Sequence, residues 1–558
     1  MFDFITLSSL EKVFPQYTPP GNEYTRATML QNEVFSFQIA YRSTPDGDWR
    51  RKRTFDITVI SPLSDVITLR EVVFIPSEYP AARQTGDDDI LSTDAGLFPD
   101  LLVPLPKPCI ETVKNTWHSL WVTVSPNGAY PPGEYPVKLV FTSEDERIEK
   151  TFSLTVIGSS LPKQELIFTN WFHADCIASV YGVRVFSEKH WELIGKFMRA
   201  AHDSGVNMIL TPLFTPPLDT EPGAERPTVQ LVGVTKTDGG YSFDFSLLDR
   251  WVSLAEDCGI RYFEMSHLFT QWGAKAAPKI IATVGGRKKR IFGWDTPADS
   301  EKYKAFLAAF LPELCGHLKS LGISERTVFH ISDEPSGDEQ LRSYLSAKAE
   351  VAPYIGGAKI IDALSHIDFY LSGAVEHPIS DTSVIEPFLS EDIPDRWAYY
   401  CSGCTKGVSN QFFGYPSARN RVIGAQLFKY NISGFLHWGF DFYYSALSRE
   451  VIDPFLTTDA KAAFPSGDAF RVYPGKDGPL ESLRLCVFRD ALTDLRAMRL
   501  LGSYIGHEEV VKTAEKHLGK IAFTMAPVTA ENILALREEI NGKIDECAKK
   551  AANDRKRK

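Results

Sequence analysis

The sequence predicts a multidomain α/β protein: a (β/α)8 TIM-like barrel preceded by an N-terminal antiparallel β-sandwich and followed by a C-terminal helical region. Three observations predict it. Up to Ile157 the chain reads as strands separated by turns; from Glu165 short apolar runs alternate with amphipathic ones; beyond Asp441 comes a loop-rich stretch, and then helical patterns return. At 558 residues the chain exceeds one ordinary core of roughly 150 residues. The expected division is 1–158, 165–445 and 446–558, with GSSLPKQ (158–164) as the first linker.

In the first part Phe35, Phe37, Ile39 and Tyr41 alternate with smaller or polar residues, the period of a half-buried strand. WHSLWVTV (117–124), YPVKLVFT (135–142) and RIEKTFSLTVI (147–157) follow, divided by the turn-rich PNGAYPPGE, as in an antiparallel sandwich. The barrel strands are expected at 166–172, 206–213, 260–266, 327–332, 359–364, 374–379, 396–401 and 434–440. Amphipathic runs at 190–205 and 300–322 read as helices between the early strands, with Gly205 and Gly322 at the C-cap positions. Strand–helix alternation implies a parallel sheet, and eight such strands imply a barrel. Segments 482–506 and 529–550 read as helices appended to it.

Composition excludes several functions. Apolar residues make up 44% and charged residues 23%, as in ordinary globular proteins, and the formal charge is −11. No basic surface run suits a polyanion, so nucleic acid is not an expected partner. The basic tail Lys549–Lys558 complements a helix dipole. The N-terminus lacks a basic segment followed by an apolar one, and no stretch is long enough for a bilayer, so a cytoplasmic protein with no membrane partner is expected. Eight scattered cysteines do not form a disulfide framework. Cys401 and Cys404 form a CxxC, but no second ligand pair completes a metal site. Neither cofactor nor metal is expected; His173-x-Asp175 and His330 lack ligand spacing, and the basic run Arg287–Arg290 reads as a solvated hairpin turn.

Active sites of such barrels lie at the C-terminal ends of the strands. The fourth expected strand runs directly into Asp333-Glu334-Pro335. Adjacent carboxylates raise one another's pKa, which keeps one protonated beside an ionised neighbour. That acid and anion pair is what breaking a glycosidic bond requires. The alternative is structural: the two acids sit at the positive end of a following helix. Other strand ends offer Trp171, His173 and Asp175; Asp362 and His366; and His437, Trp438 and Asp441 with Tyr443 and Tyr444. Aromatic floors with convergent polar groups suit a sugar, and Trp171, His173, Asp175, Asp362, His437, Trp438, Asp441 and Tyr443 are the candidate substrate-binding residues.

With these residues in hand, the sequence resembles glycoside hydrolase family 123 and the wider uncharacterised bacterial group sharing its catalytic domain. The resemblance is carried by NWFHADCIA (170–178), WGAKAAPKI (272–280), FGWDTP (292–297), HISDEPS (330–336), GFLHWGFDFYYS (434–445) and FPSGDAFRVYPGKDGPLESLRL (464–485). It implies a retaining, exo-acting β-N-acetylgalactosaminidase in which the substrate's own 2-acetamido oxygen attacks the anomeric carbon. By the family's Asp-Glu pattern Asp333 would orient the acetamide, and Glu334 would be general acid and then base. An oligosaccharide or other glycoside is the implied partner. The family group commonly carries Asn where this chain has Asp441. Other readings are a glycosidase for a sugar without the acetamido group, pairing Glu334 with Asp362 or Asp441, and a non-catalytic carbohydrate-binding protein.

Overall fold

The structure, a computed structural model, describes residues 2–20, 22–44, 52–82 and 87–557. Two five-stranded sheets form the N-terminal part. One runs in the order Phe2–Ser8, Phe35–Ser43, His118–Val124, Ile67–Ser77, Gly96–Pro104; the other runs Arg26–Leu30, Arg147–Ile157, Gly133–Thr142, Lys52–Ile60, Cys109–Val113. They share one apolar core, in which Phe37 stacks on Phe152 with ring centroids 4.3 Å apart. The pairings are antiparallel except one. Arg26–Leu30 runs parallel to Arg147–Ile157, with Met29 opposite Val156, because the chain crosses between sheets immediately after it. Phe35–Ser43 departs from the half-buried expectation, since Gln38 and Ala40 on its other face are also fully buried. Leu7, Val13 and Trp117 cover Ala40, while the Gln38 amide donates to the carbonyls of Ser8 and Glu11.

Eight parallel strands then close a barrel: Ile167–Asn170, Met208–Thr211, Tyr262–Met265, Thr327–Phe329, Lys359–Leu364, His377–Asp381, Trp397–Tyr399 and Gly434–His437. All eight expected positions hold strands, although the sixth lies a few residues later than expected. Helices Glu188–Asp203 and Glu301–Ser320 match the amphipathic runs, and Gly205 and Gly322 take φ of 103° and 70°, a conformation that glycine adopts without steric cost. Later connections are weaker: Asp368–Leu371 and Glu386–Ser390 are single turns. The second and third connections also contribute a four-stranded outer sheet that the sequence reading did not anticipate, ordered Gly240–Asp244, Gly233–Thr237, Ile280–Val284, Arg287–Phe292. Arg287–Arg290 lies exposed on its last hairpin.

Inside the barrel Met208, Leu210, Val328, Ile361, Ile379, Trp397, Tyr399 and Leu436 pack together. The Trp397 indole occupies the space a side chain at residue 434 would need, since a Cβ on Gly434 would lie 1.9 Å from the ring. A cleft of about 1850 Å³ opens at the N-terminal ends of the strands, lined by Gly205, Asn207, Gly259 and Arg261 among others, on the side opposite Asp333 and Glu334.

The C-terminal helices are not an appendage. Leu483–Ile505 is buried along most of its length, and Phe488 packs against Phe168 and Phe435 of the first and last barrel strands. Arg484 donates to Asp100 of the N-terminal sheet at 2.8 and 3.0 Å, and Tyr473 donates to the same carboxylate at 2.6 Å. In helix Ala530–Arg557, Arg537 pairs with Glu33 at 2.6 Å and with Asp494 at 2.8 Å. Among the described residues no helix is long and apolar enough to cross a membrane, and the eight cysteines are free.

Candidate active site

Ladder pairing of the fourth barrel strand stops at Phe329, and His330–Glu334 turn across the barrel mouth. The helix that follows begins only at Gly337, with Asp338 and Glu339 in its first turn. Those acids, rather than Asp333 and Glu334, meet the positive end of the dipole. The acid pair is therefore not a helix-capping device. Glu334 takes φ of 41°, a left-handed conformation costing an L-residue of its size about 1–3 kcal/mol.

Both carboxyls are pushed above their ordinary range. For Asp333 burial is the leading cause and the Glu334 charge the second, with the His330 cation pulling the other way. For Glu334 burial again leads, Tyr399 opposes it, and the Asp381 charge adds to it. The Tyr399 hydroxyl donates to Glu334 Oε1 at 2.7 Å. The charge of Glu334 thus raises Asp333 as the sequence suggested, but desolvation contributes more, and for Glu334 the neighbouring charge is that of Asp381. Asp381 is itself fixed by Ser383 N–H and by the Cys404 thiol, which donates at 3.1 Å. This is the structural use of the CxxC.

Beneath the pair lies a buried polar chain. His330 donates from Nε2 to Glu264 at 2.5 Å and from Nδ1 to Asp362 at 2.9 Å. Burial lowers its pKa, but the two carboxylates more than compensate and raise it to about 10. Glu264 also accepts from Trp171 Nε1 at 2.7 Å and from the Thr169 hydroxyl; Asp362 also accepts from the Tyr344 hydroxyl. His267 stacks on His330 with centroids 4.3 Å apart and is held neutral by burial and by the His330 charge. Neither His267 ring nitrogen has a protein partner among the described residues. Donor atoms of His267, His330 and Asp362 fall within 4.8 Å of one another. With both its nitrogens donating to carboxylates, however, His330 has no lone pair to offer a metal.

The chain matches the model of the glycoside hydrolase 123 catalytic domain over residues 171–501, a span that includes Asp333 and Glu334. The chain belongs to glycoside hydrolase family 123. It is a glycoside hydrolase, and its substrates are glycans. Among solved structures it is similar to a family 123 glycoside hydrolase from Clostridium perfringens, described for glycolipid glycan hydrolysis. The two share 15% identity over 99% of each chain, with a TM-score of 0.72. It is more distantly similar to a β-glucuronidase from Parabacteroides merdae (10% identity, 88% of this chain and 52% of that one, TM-score 0.30). A β-D-glucuronidase from Dictyoglomus thermophilum matches at 10% identity, 87% and 73% coverage, and TM-score 0.34. No protein of curated function matches in sequence.

The remaining candidate residues of this family 123 hydrolase fall into three groups. Trp171 and Asp362 join the chain beneath the acids. Asp175 instead forms a buried pair with Arg226, two bonds of 2.8 Å each, and also accepts from Tyr444 at 3.2 Å. Arg226 further reaches His173 Nδ1 at 3.2 Å. Asp441 Oδ1 accepts from His173 N–H at 2.8 Å, and burial raises the Asp441 carboxyl to about 8. Burial thus favours the neutral form of this acid, which has the shape of an asparagine. Tyr443 donates to the Val472 carbonyl at 2.9 Å and is fully buried. In the third group, His437 is wholly buried, while half-buried Trp438 donates from Nε1 to Asp468 at 2.8 Å. His366, just after the fifth barrel strand, is exposed.

The sequence reading missed Glu264, His267, Tyr399, Asp381 and Asp468. The first four stand in or just after barrel strands, where the strand-end rule reaches them. Asp468 lies in the SGD motif that carried the family resemblance.

Proposed function

We propose that this family 123 hydrolase is a retaining β-N-acetylgalactosaminidase working by substrate assistance. The observation carrying the reading is that Asp333 and Glu334 share one turn at the mouth while the other carboxylates suggested as partners are engaged elsewhere. Asp362 is occupied by His330 and Tyr344, and Asp441, buried and pushed toward its neutral form, is tied to His173. A retaining enzyme with a carboxylate nucleophile needs a second free carboxylate about 5 Å from the first. A nucleophile supplied by the substrate removes that need.

In this mechanism Glu334, its pKa raised by burial, protonates the glycosidic oxygen as it leaves. The acetamido oxygen attacks the anomeric carbon from the opposite face as the glycosidic oxygen leaves, closing an oxazolinium ring with inversion; water later breaks the ring C–O bond with a second inversion, giving net retention. Asp333 holds the acetamide N–H and stabilises its growing positive charge. Glu334, now ionised, takes a proton from the water that opens the ring. The half-buried indole of Trp438 provides a contact for the sugar's apolar face.

The test compares aryl β-N-acetylgalactosaminide, the N-acetylglucosaminide and the plain galactoside, with a thiazoline mimic of the cyclised acetamide as inhibitor. Hydrolysis restricted to acetamido sugars, blocked by the thiazoline, is expected. Turnover of the plain galactoside at a comparable rate refutes the route. Glu334→Gln should lose about 10²–10⁴-fold on poor leaving groups while still binding substrate.

A further inference from the structure

We infer that the Trp272 indole is the aglycone platform of this site, the surface on which the sugar ring of the leaving group stacks. The inference rests on the reading of Asp333 and Glu334 as the acting pair. Trp272 is 38% exposed, the most exposed tryptophan among the described residues. An indole left in water forgoes burial worth about 2 kcal/mol, so its exposure calls for a reason.

The loop presenting it is strained yet firmly held. Trp272, Gly273 and Ala274 take φ of 57°, 104° and 52°, and the two that carry side chains cost about 1–3 kcal/mol each. Ser332 Oγ accepts from the N–H groups of Gly273 and Ala274 at 3.3 and 3.2 Å and donates to the Thr270 carbonyl at 2.9 Å. Ser343 donates to the Gly273 carbonyl at 2.5 Å. A Cβ on Gly273 would come within 2.7 Å of the Gln340 side chain, so the loop packs closely against the next helix. These contacts hold a conformation that local preference disfavours, with the indole outward.

Its position is tied to the chemistry. Trp272 N–H donates at 2.9 Å to the carbonyl of Asp333, which belongs to the peptide joining Asp333 to Glu334. The loop and the acid pair therefore share one backbone contact. A general acid must reach the leaving oxygen, so the ring beyond that oxygen lies on the acid's side of the scissile bond. A rigid aromatic face borne beside the acid's own peptide suits the apolar face of a pyranose there. The ligand class is thus a saccharide aglycone, and the platform distinguishes oligosaccharides from glycosides with small leaving groups.

The experiment compares kcat/KM for β-N-acetylgalactosaminyl-(1→4)-galactose and for β-N-acetylgalactosaminyl fluoride, which has no aglycone ring. In Trp272→Ala the disaccharide-to-fluoride ratio should fall about tenfold, and Trp272→Phe should restore most of it. An unchanged ratio overturns the platform, whether or not both rates drop. If the wild type cleaves neither compound, the acetamido reading fails, and the platform is then read by titrating tryptophan emission with methyl β-galactoside. Saturable quenching lost in Trp272→Phe supports the platform; no saturable quenching overturns it.

Discussion

Removing one hydroxyl, in Tyr399→Phe, isolates the force that holds Glu334 against its burial. The Tyr399 O–H donates to Glu334 Oε1 at 2.7 Å and lowers a pKa that burial and Asp381 raise. Burial and the Glu334 and Asp381 charges push the tyrosine's own pKa far up, so it remains a donor at every accessible pH. A hydrogen bond to a charged group contributes about 1.5–3 kcal/mol. At about 1.4 kcal/mol per pKa unit, its loss should raise Glu334 by roughly 1–2 units. Phenylalanine fits the site, since the ring packs in the barrel interior with Leu436 and Trp397. The assay is kcat/KM against pH, which reports the free enzyme. A general acid must be protonated to act, so its basic limb should move to higher pH by that amount. A limb that stays in place, or moves to lower pH, would refute the assignment of Glu334 as the acid held by Tyr399.

Arg226→Met leaves Asp175 buried without its partner and should cost about 3–5 kcal/mol, visible as a lower thermal midpoint; an unchanged midpoint would mean the pair is dispensable. Gly434→Ala drives a methyl into the Trp397 ring and should destabilise by 3 kcal/mol or more, roughly the upper end for overpacking. Adding Trp397→Leu should recover folded protein, and failure of that rescue would place the strain elsewhere. His330, raised to about 10 from an ordinary value near 6.5, binds a proton in the folded state that the unfolded chain has released. Its stabilisation is complete below about pH 6.5 and is lost as pH rises through about 10, at up to about 1.4 kcal/mol per unit. In Glu264→Gln, chemical denaturation should show a shallower decline over that window, and an identical slope would remove His330 from the account.

The barrel was legible in the sequence because short apolar strands and amphipathic helices differ in period, and all eight strand positions could be read that way. The outer four-stranded sheet was not, because its first two strands are only five residues each: Tyr241 and Phe243 do alternate in one, but Gly233–Thr237 offers only Val234 as a buried apolar residue. Asp333 and Glu334 stood out because two acids end an apolar run. Glu264 did not, since a polar residue pointing into the barrel produces the same alternation as one pointing to solvent. Tyr399 was hidden in the aromatic run WAYY, where one hydroxyl acts and its neighbours pack. Asp175 and Asp441 were read as pocket groups because sequence does not reveal the Arg226 guanidinium 51 residues from Asp175. Asp468 meets Trp438 across 30 residues, a separation that no strand-end rule spans.

The family match runs to residue 501, far beyond the last barrel strand at Gly434–His437. The helix Leu483–Ile505 explains why. It covers the outer faces of the first and last strands and is anchored to Asp100 through Arg484, while Asp468, on the approach to it, anchors Trp438. What descent transmits is therefore the barrel together with its clasp, and gene fusion or shuffling that cut the two apart would inherit neither a sealed seam nor a fixed Trp438.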